Sequence, residues 1–191
     1  LPAPVTNLAY PLKGRNTIWS EFGGTAMTHN GLSKFCYDFA AVDESKAIKK
    51  PRASGKTNAD YYMFGSPVFA VEEGVVSGVI ADFPDNEPGG YAPDANRITL
   101  KHAGYYSFYA HMKAGGILVE TGQKVKRGAL IGYAGNSGMS SESHLHFCIN
   151  SATAGEVTIP FQFMPAVVES PQGAKKKTSD FYKEGDVVIF N

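Results

Sequence analysis

Apolar and polar positions alternate along this chain in short runs, and each run is closed by glycine, proline or acidic turn residues. In the stretch KFCYDFAAV the alternation puts Phe35, Tyr37 and Phe39 on one strand face and Cys36, Asp38 and Ala40 on the other. SPVFAVEEGVVSGVI reads as a strand, a Glu-Glu-Gly turn and a second strand. RITLKHAGYYSFYAHM reads as a hairpin turning at Ala103–Gly104, with Tyr105, Ser107, Tyr109 and His111 then sharing a face. GQKVKRGALIGYAG supplies a turn and another short strand. In SESHLHFCI, His144, His146 and Cys148 share one face, and Leu145, Phe147 and Ile149 share the other. Many short strands at close spacing predict an all-β fold, a compact antiparallel sandwich or barrel-like domain with long loops, rather than alternating β and α units.

Two polar stretches separate these runs. Residues 46–61 are basic and poor in helix signals, and residues 82–96 hold three prolines and two glycines, which predicts a surface loop. Both are candidate walls of a substrate groove. Beyond Asn150, VTIPFQF and GDVVIF resemble two further strands around the basic loop GAKKKTSD, where Lys175–Lys177 reads as a solvated turn. The expected organisation is a core domain over 1–150 with a β extension over 151–191 packed on it.

Composition narrows the function classes. The chain has 191 residues, 43% of them hydrophobic and 19% charged, as in an ordinary globular protein. Eighteen basic and eighteen acidic side chains cancel, giving a pI near 7.1. A nucleic-acid partner would call for a basic excess, and the balance gives no strong attraction to an anionic membrane or wall. No apolar run reaches transmembrane length. The first residues, LPAPVTNLAYP, lack a charged segment followed by an apolar one, so a mature, secreted or periplasmic form trimmed of its targeting segment is expected. A monomer is expected.

The candidate chemistry lies in five histidines and one aspartate. His144 and His146 present two imidazoles from one strand face, and His111 follows the tyrosine-rich strand. Asp38 sits inside an aromatic run, where a carboxylate is costly to bury unless it is paired or coordinated. His29 precedes that strand in the glycine-rich segment GGTAMTHNGLSKF. Two imidazoles and a carboxylate form a common catalytic zinc set with a fourth position left for water.

The segments THNGLSKFCYDFAA, SPVFAVEEGVV, ITLKHAGYYSFYAHM, GQKVKRGALIGYAGNSG and SHLHF, in that order, resemble the lysostaphin-type (beta-lytic) zinc metallopeptidases. The resemblance covers roughly residues 11–149. It implies the duplicated hybrid motif fold, one Zn2+ per chain, and hydrolysis of peptide bonds in bacterial cell-wall peptidoglycan. It assigns His29, Asp38 and His146 to the metal and His111 and His144 to catalysis, with His144 favoured as base and His111 as oxyanion partner. His102 falls where the family often keeps a histidine without catalytic duty, which implies a turn or surface residue. Gly128, Gly132, Gly135 and Gly138 look like turn and close-packing positions.

One departure stands out. Family members commonly space the first histidine and the aspartate by four residues, and here His29 and Asp38 are nine apart. If Asp38 and His146 face one metal from adjacent antiparallel strands, Cys36 and Cys148 lie opposite each other. A disulfide there suits an exported protein, and two buried thiols are the alternative. Tyr109 either lines the groove or packs at a strand end. Two other functions compete: a non-catalytic regulator or wall-binding module on the same fold, and a carrier domain suggested by GQKVKRGALIG. No lysine in a Met-Lys setting supports the carrier, and all five metal and catalytic positions are retained against the regulator.

Overall fold

The computed structural model describes residues 3–20, 33–152 and 157–190. These residues form fifteen strands and include a short 3-10 helix at Asn58–Asp60. In chain order the first eight strands are β1 (Val5–Leu8), β2 (Gly14–Ser20), β3 (Cys36–Ala41), β4 (Pro67–Phe69), β5 (Gly74–Ile80), β6 (Arg97–Lys101), β7 (Tyr105–Ala110) and β8 (Met112–Ile117). The others are β9 (Lys124–Val125), β10 (Leu130–Ala134), β11 (Leu145–Ser151), β12 (Phe161–Phe163), β13 (Ala166–Glu169), β14 (Lys175–Thr178) and β15 (Val187–Phe190).

Ten strands form one antiparallel sheet in the order β14-β13-β15-β2-β3-β11-β7-β6-β5-β9. A second antiparallel sheet, β4-β10-β8, lies apart from it, and β1 pairs parallel with β12. The all-β antiparallel expectation holds for both larger sheets.

The centre of the large sheet is built from alternation. Tyr37 and Phe39 of β3 and Phe147 of β11 point to one face, where they meet Phe161, Phe163, Tyr182 and Phe190. Ring centroids there lie 5.2 Å apart for Phe147–Phe161 and 5.5 Å for Tyr37–Phe161, both edge-to-face. Each such pair adds about 0.5–1.5 kcal/mol beyond the apolar area it buries. The Tyr37 hydroxyl, deep in the cluster, accepts from the Tyr182 backbone N–H at 2.9 Å. This packing fixes β3 and β11 side by side, and so fixes what their opposite faces carry.

Several elements differ from the sequence pattern. Strands β1 and β2 carry little apolar character, and β2 buries Asn16, Ile18 and, past a register shift, Ser20 on the face of Asp38. The Asn16 amide is satisfied by the Lys13 and Gly14 carbonyls, which lets a polar residue occupy a core position. Lys175–Lys177 is not a turn but part of β14, an exposed outer strand paired with β13. Lysines on an outermost strand oppose pairing with another chain. The strands of SPVFAVEEGVVSGVI do not pair with each other: β4 joins β10 and β5 joins β6. Ala70 and Val71, fully buried, carry the chain from one sheet to the other.

The glycines behave as expected. Gly128 has a φ of +77°, a turn conformation. Gly135 packs flat on Lys113 and Asp85, where an added Cβ would overlap backbone. His102 occupies its turn but is buried rather than at the surface. Its Nδ1–H donates to the Glu73 carbonyl at 2.7 Å, and Nε2 faces the Ser107 hydroxyl at 2.7 Å.

Candidate metal centre

The face of the large sheet opposite the aromatic cluster carries the candidate site. Register places Asp38 of β3 directly across from His146 of β11 and Cys36 across from Cys148. Directly opposed residues in an antiparallel pair share a face. His146 Nδ1 lies 2.7 Å from Asp38 Oδ1, and because a carboxylate only accepts, the ring donates there. His144 stands just before β11, with Nε2 3.7 Å from the same Oδ1. The carboxylate is buried, so its cost is met by this imidazole contact.

His111 reaches the site by a different route. Alternation along β7 would put it beside Tyr109, on the aromatic side. Tyr109 is indeed core: it is fully buried, packs 5.1 Å from Phe147, and its hydroxyl accepts from the Val71 N–H. At His111 the backbone turns left-handed, with a φ of 60°, and the alternation ends. The ring then lies 4.5 Å from that of His144 and 5.9 Å from that of His146. Thus Asp38, His111, His144 and His146 are brought together. His29 lies outside the described residues.

Both His111 and His144 are oriented by main-chain carbonyls. His111 Nδ1–H donates to Ser137 O at 2.7 Å, and His144 Nδ1–H donates to Glu142 O at 2.9 Å. In the neutral rings this leaves the lone pair at Nε2. Burial, reinforced by the neighbouring His144 and His146, pushes the His111 imidazolium down to about 3. A neutral His111 whose N–H is spent on Ser137 has no proton to give an oxyanion until it takes one up. The Trp19 ring, at the end of β2, packs 5.6 Å from His144.

The residues that hold these carbonyls in place were not read from the sequence. Asp85 accepts from Asn136 N at 2.7 Å and from Ala114 N at 3.1 Å. Asn86 Nδ2 donates to Gly138 O and Ser140 O. Asn136 donates to Asn58 Oδ1, and Tyr61 to Glu142 Oε1. The loops 46–61 and 82–96 therefore converge on residues 135–144 and brace them. Neither loop lines the cleft that opens at His146, so their expected part as groove walls is not seen there among the described residues. An Asp-Asn pair inside a proline-rich loop is the one sequence signal that pointed to this bracing.

The cysteines form a disulfide, two residues along the same strand pair from Asp38 and His146. Cys148 Sγ lies 3.2 Å from His146 Nε2. Cys36, His146 and Cys148 are close enough to suggest a metal cluster, but two sulfurs bonded to each other are not thiolate ligands. A cleft of about 840 Å³ runs from His146 across β11, β7, β6 and β5.

One face of the antiparallel sheet thus carries a buried carboxylate faced by three imidazoles. The chain belongs to peptidase family M23, whose model matches residues 56–158, more than half of its length. That match includes His111, His144 and His146 and stops short of Asp38. The chain is 36% identical over 98 residues to the peptidoglycan DD-endopeptidase ShyA of Vibrio cholerae, covering 50% of this chain and 20% of that protein. It thus spans about a fifth of that relative. Among solved structures it resembles a zinc-containing peptidase from Vibrio cholerae, with a TM-score of 0.51 and 26% identity over 80% of this chain and 38% of that one. It shares the fold of a chain in the SpoIIQ–SpoIIIAH pore-forming complex, with a TM-score of 0.51 and 22% identity over 80% of this chain and 87% of that one. The fold alone therefore does not define the activity. Among the described residues no helix is long and apolar enough to cross a membrane.

Proposed function

We propose that this chain is an exported zinc endopeptidase that hydrolyses peptide bonds in bacterial cell-wall peptidoglycan. The observation that carries the reading is the convergence of Asp38 Oδ1 and His146 Nδ1 beneath two further imidazoles whose Nδ1 protons are already committed. The residues fit a metal: a carboxylate oxygen and an imidazole nitrogen at 2.7 Å share one proton, and a cation would take its place. Asp38 and His146 would hold zinc together with His29. Zinc bound there would supply Lewis acidity and lower the pKa of water from about 15.7 toward about 7.

The chain's own groups then handle the proton. His144, with its lone pair at Nε2, takes the proton of the attacking water and returns it to the leaving amine. The Glu142 carbonyl holds the ring in the tautomer this requires and stabilises the imidazolium once it forms. His111 is fixed in the same way by Ser137, so the two rings can exchange roles. Whichever ring gains a proton at Nε2 becomes a hydrogen-bond donor to the developing oxyanion. A disulfide and relatives that act on peptidoglycan support a place outside the cytoplasm.

The test is zinc content and release of soluble peptides from purified peptidoglycan, in wild type and in His144→Ala, His111→Ala, Asp38→Ala and His29→Ala. Expected are one zinc per chain in wild type and both catalytic variants, with release falling about 10²–10⁴-fold in those two. Asp38→Ala and His29→Ala should lose the metal. Zinc without release from any wall type in wild type would leave a regulator or binding module instead.

A further inference from the structure

The line of cross-strand partners that carries the candidate site does not end at His146. Across the sheet it runs Ser20, Asp38, His146, Ala110, Arg97 and Ile80, each directly opposite the next. All six therefore share one face of the sheet. Arg97 opens β6, half-buried, and its side chain lines the cleft that starts at His146. It is the one lysine, arginine or carboxylate side chain among the described residues of that cleft. It makes no ion pair and donates no side-chain hydrogen bond among the described residues. An arginine partly withdrawn from water usually spends its fork of donors on a partner. Here the fork is left over.

The spacing says what it faces. Neighbouring strands lie about 4.8 Å apart, so the Arg97 Cα is about 10 Å from that of His146. Between them in register stands Ala110, a short side chain. An extended peptide covers about 3.3 Å per residue, so the guanidinium comes within about three residues of a bond held at the metal centre. Phe108, edge-on to His146 at 6.3 Å, forms an apolar floor beside that path and lowers the water available to compete. A planar fork of N–H donors matches a carboxylate bidentately.

Building on the peptidase reading, we infer that Arg97 is a specificity residue that captures a free carboxylate of the peptide substrate within about three residues of the scissile bond. Such a carboxylate is a chain terminus or an acidic side chain. Arg97 stands too far from the metal pair to take part in bond cleavage, so its work is to select and register the substrate.

The experiment uses the zinc-loaded full chain and two probes: a cross-linked stem-peptide dimer with its carboxylates free, and the same dimer with them converted to carboxamides. Turnover is followed by chromatography and binding by calorimetry, for wild type, Arg97→Gln and Arg97→Lys. Wild type should prefer the free carboxylates by about 10–100-fold in kcat/KM, mostly through KM, the range expected of a charge-assisted pair. Arg97→Gln should lower the acid probe to the level of the amide probe and leave turnover of the amide probe unchanged. Arg97→Lys should keep part of the preference, because it keeps the charge and loses the fork. Equal treatment of the two probes by wild type overturns the inference, as does an equal loss on both probes in Arg97→Gln. Preferential binding of the acid probe without turnover in wild type keeps Arg97 as a carboxylate site and removes the peptidase reading instead.

Discussion

Replacing both Cys36 and Cys148 with alanine would remove a covalent tie between β3 and β11 without adding a polar group to a buried site. The two cysteines are 112 residues apart in sequence, so the bond closes most of the chain into one loop in the unfolded state. Loop-closure entropy for that length corresponds to about 5 kcal/mol at 25 °C. Unfolding entropy of about 2.1 cal/mol/K per residue over the 191 residues gives about 0.4 kcal/mol/K in all. The midpoint should therefore fall by about 12 °C. The assay is thermal and urea unfolding of the metal-free double variant beside wild type, with wild type in reductant as a second route to the same state. Well below its melting temperature the variant should keep the zinc proposed for the wild type, because hydrogen bonding and the aromatic packing behind β3 and β11 keep Asp38 opposite His146. A fall of less than about 4 °C would refute the loop-entropy reasoning. Loss of zinc at a temperature where the variant is folded would show that the disulfide, not the strand register, sets the metal pair.

Two further outcomes can be checked directly. His102 is held neutral by burial, so its folded pKa lies below the unfolded value of about 6.5. The unfolded chain then binds the extra proton: the contribution to stability is full above that pH and is lost as pH falls through the folded value. Thermal midpoints should drop below pH 6.5, and His102→Gln should flatten that slope; an unchanged slope would exclude His102 as its source. Asp85→Ala strands the Asn136 and Ala114 N–H groups, costing about 1.5–3 kcal/mol each. Because residues 135–138 position Ser137 O against His111, kcat should fall about tenfold with zinc content intact. An unchanged kcat would mean that the brace does not reach the histidine.

The sequence by itself determined the face assignment on β3 and β11. Period-two alternation is a local property, so it separated Asp38, His146 and the cysteines from Tyr37, Phe39 and Phe147 before any pairing was known. It also marked the hairpin turn at Ala103–Gly104. Alternation failed at His111, because a left-handed residue ends the period and nothing in the neighbouring residue types announces it. Strands β1 and β2 were silent for a related reason: their pattern is paid in polar residues whose hydrogen bonds close only in the folded chain. The disulfide needed the register of strands joined across 112 residues, and the bracing of residues 135–144 needed two distant loops to meet. Local chemistry was legible where side-chain direction follows from position alone. Where it depends on a partner far along the chain, only the tertiary structure decided.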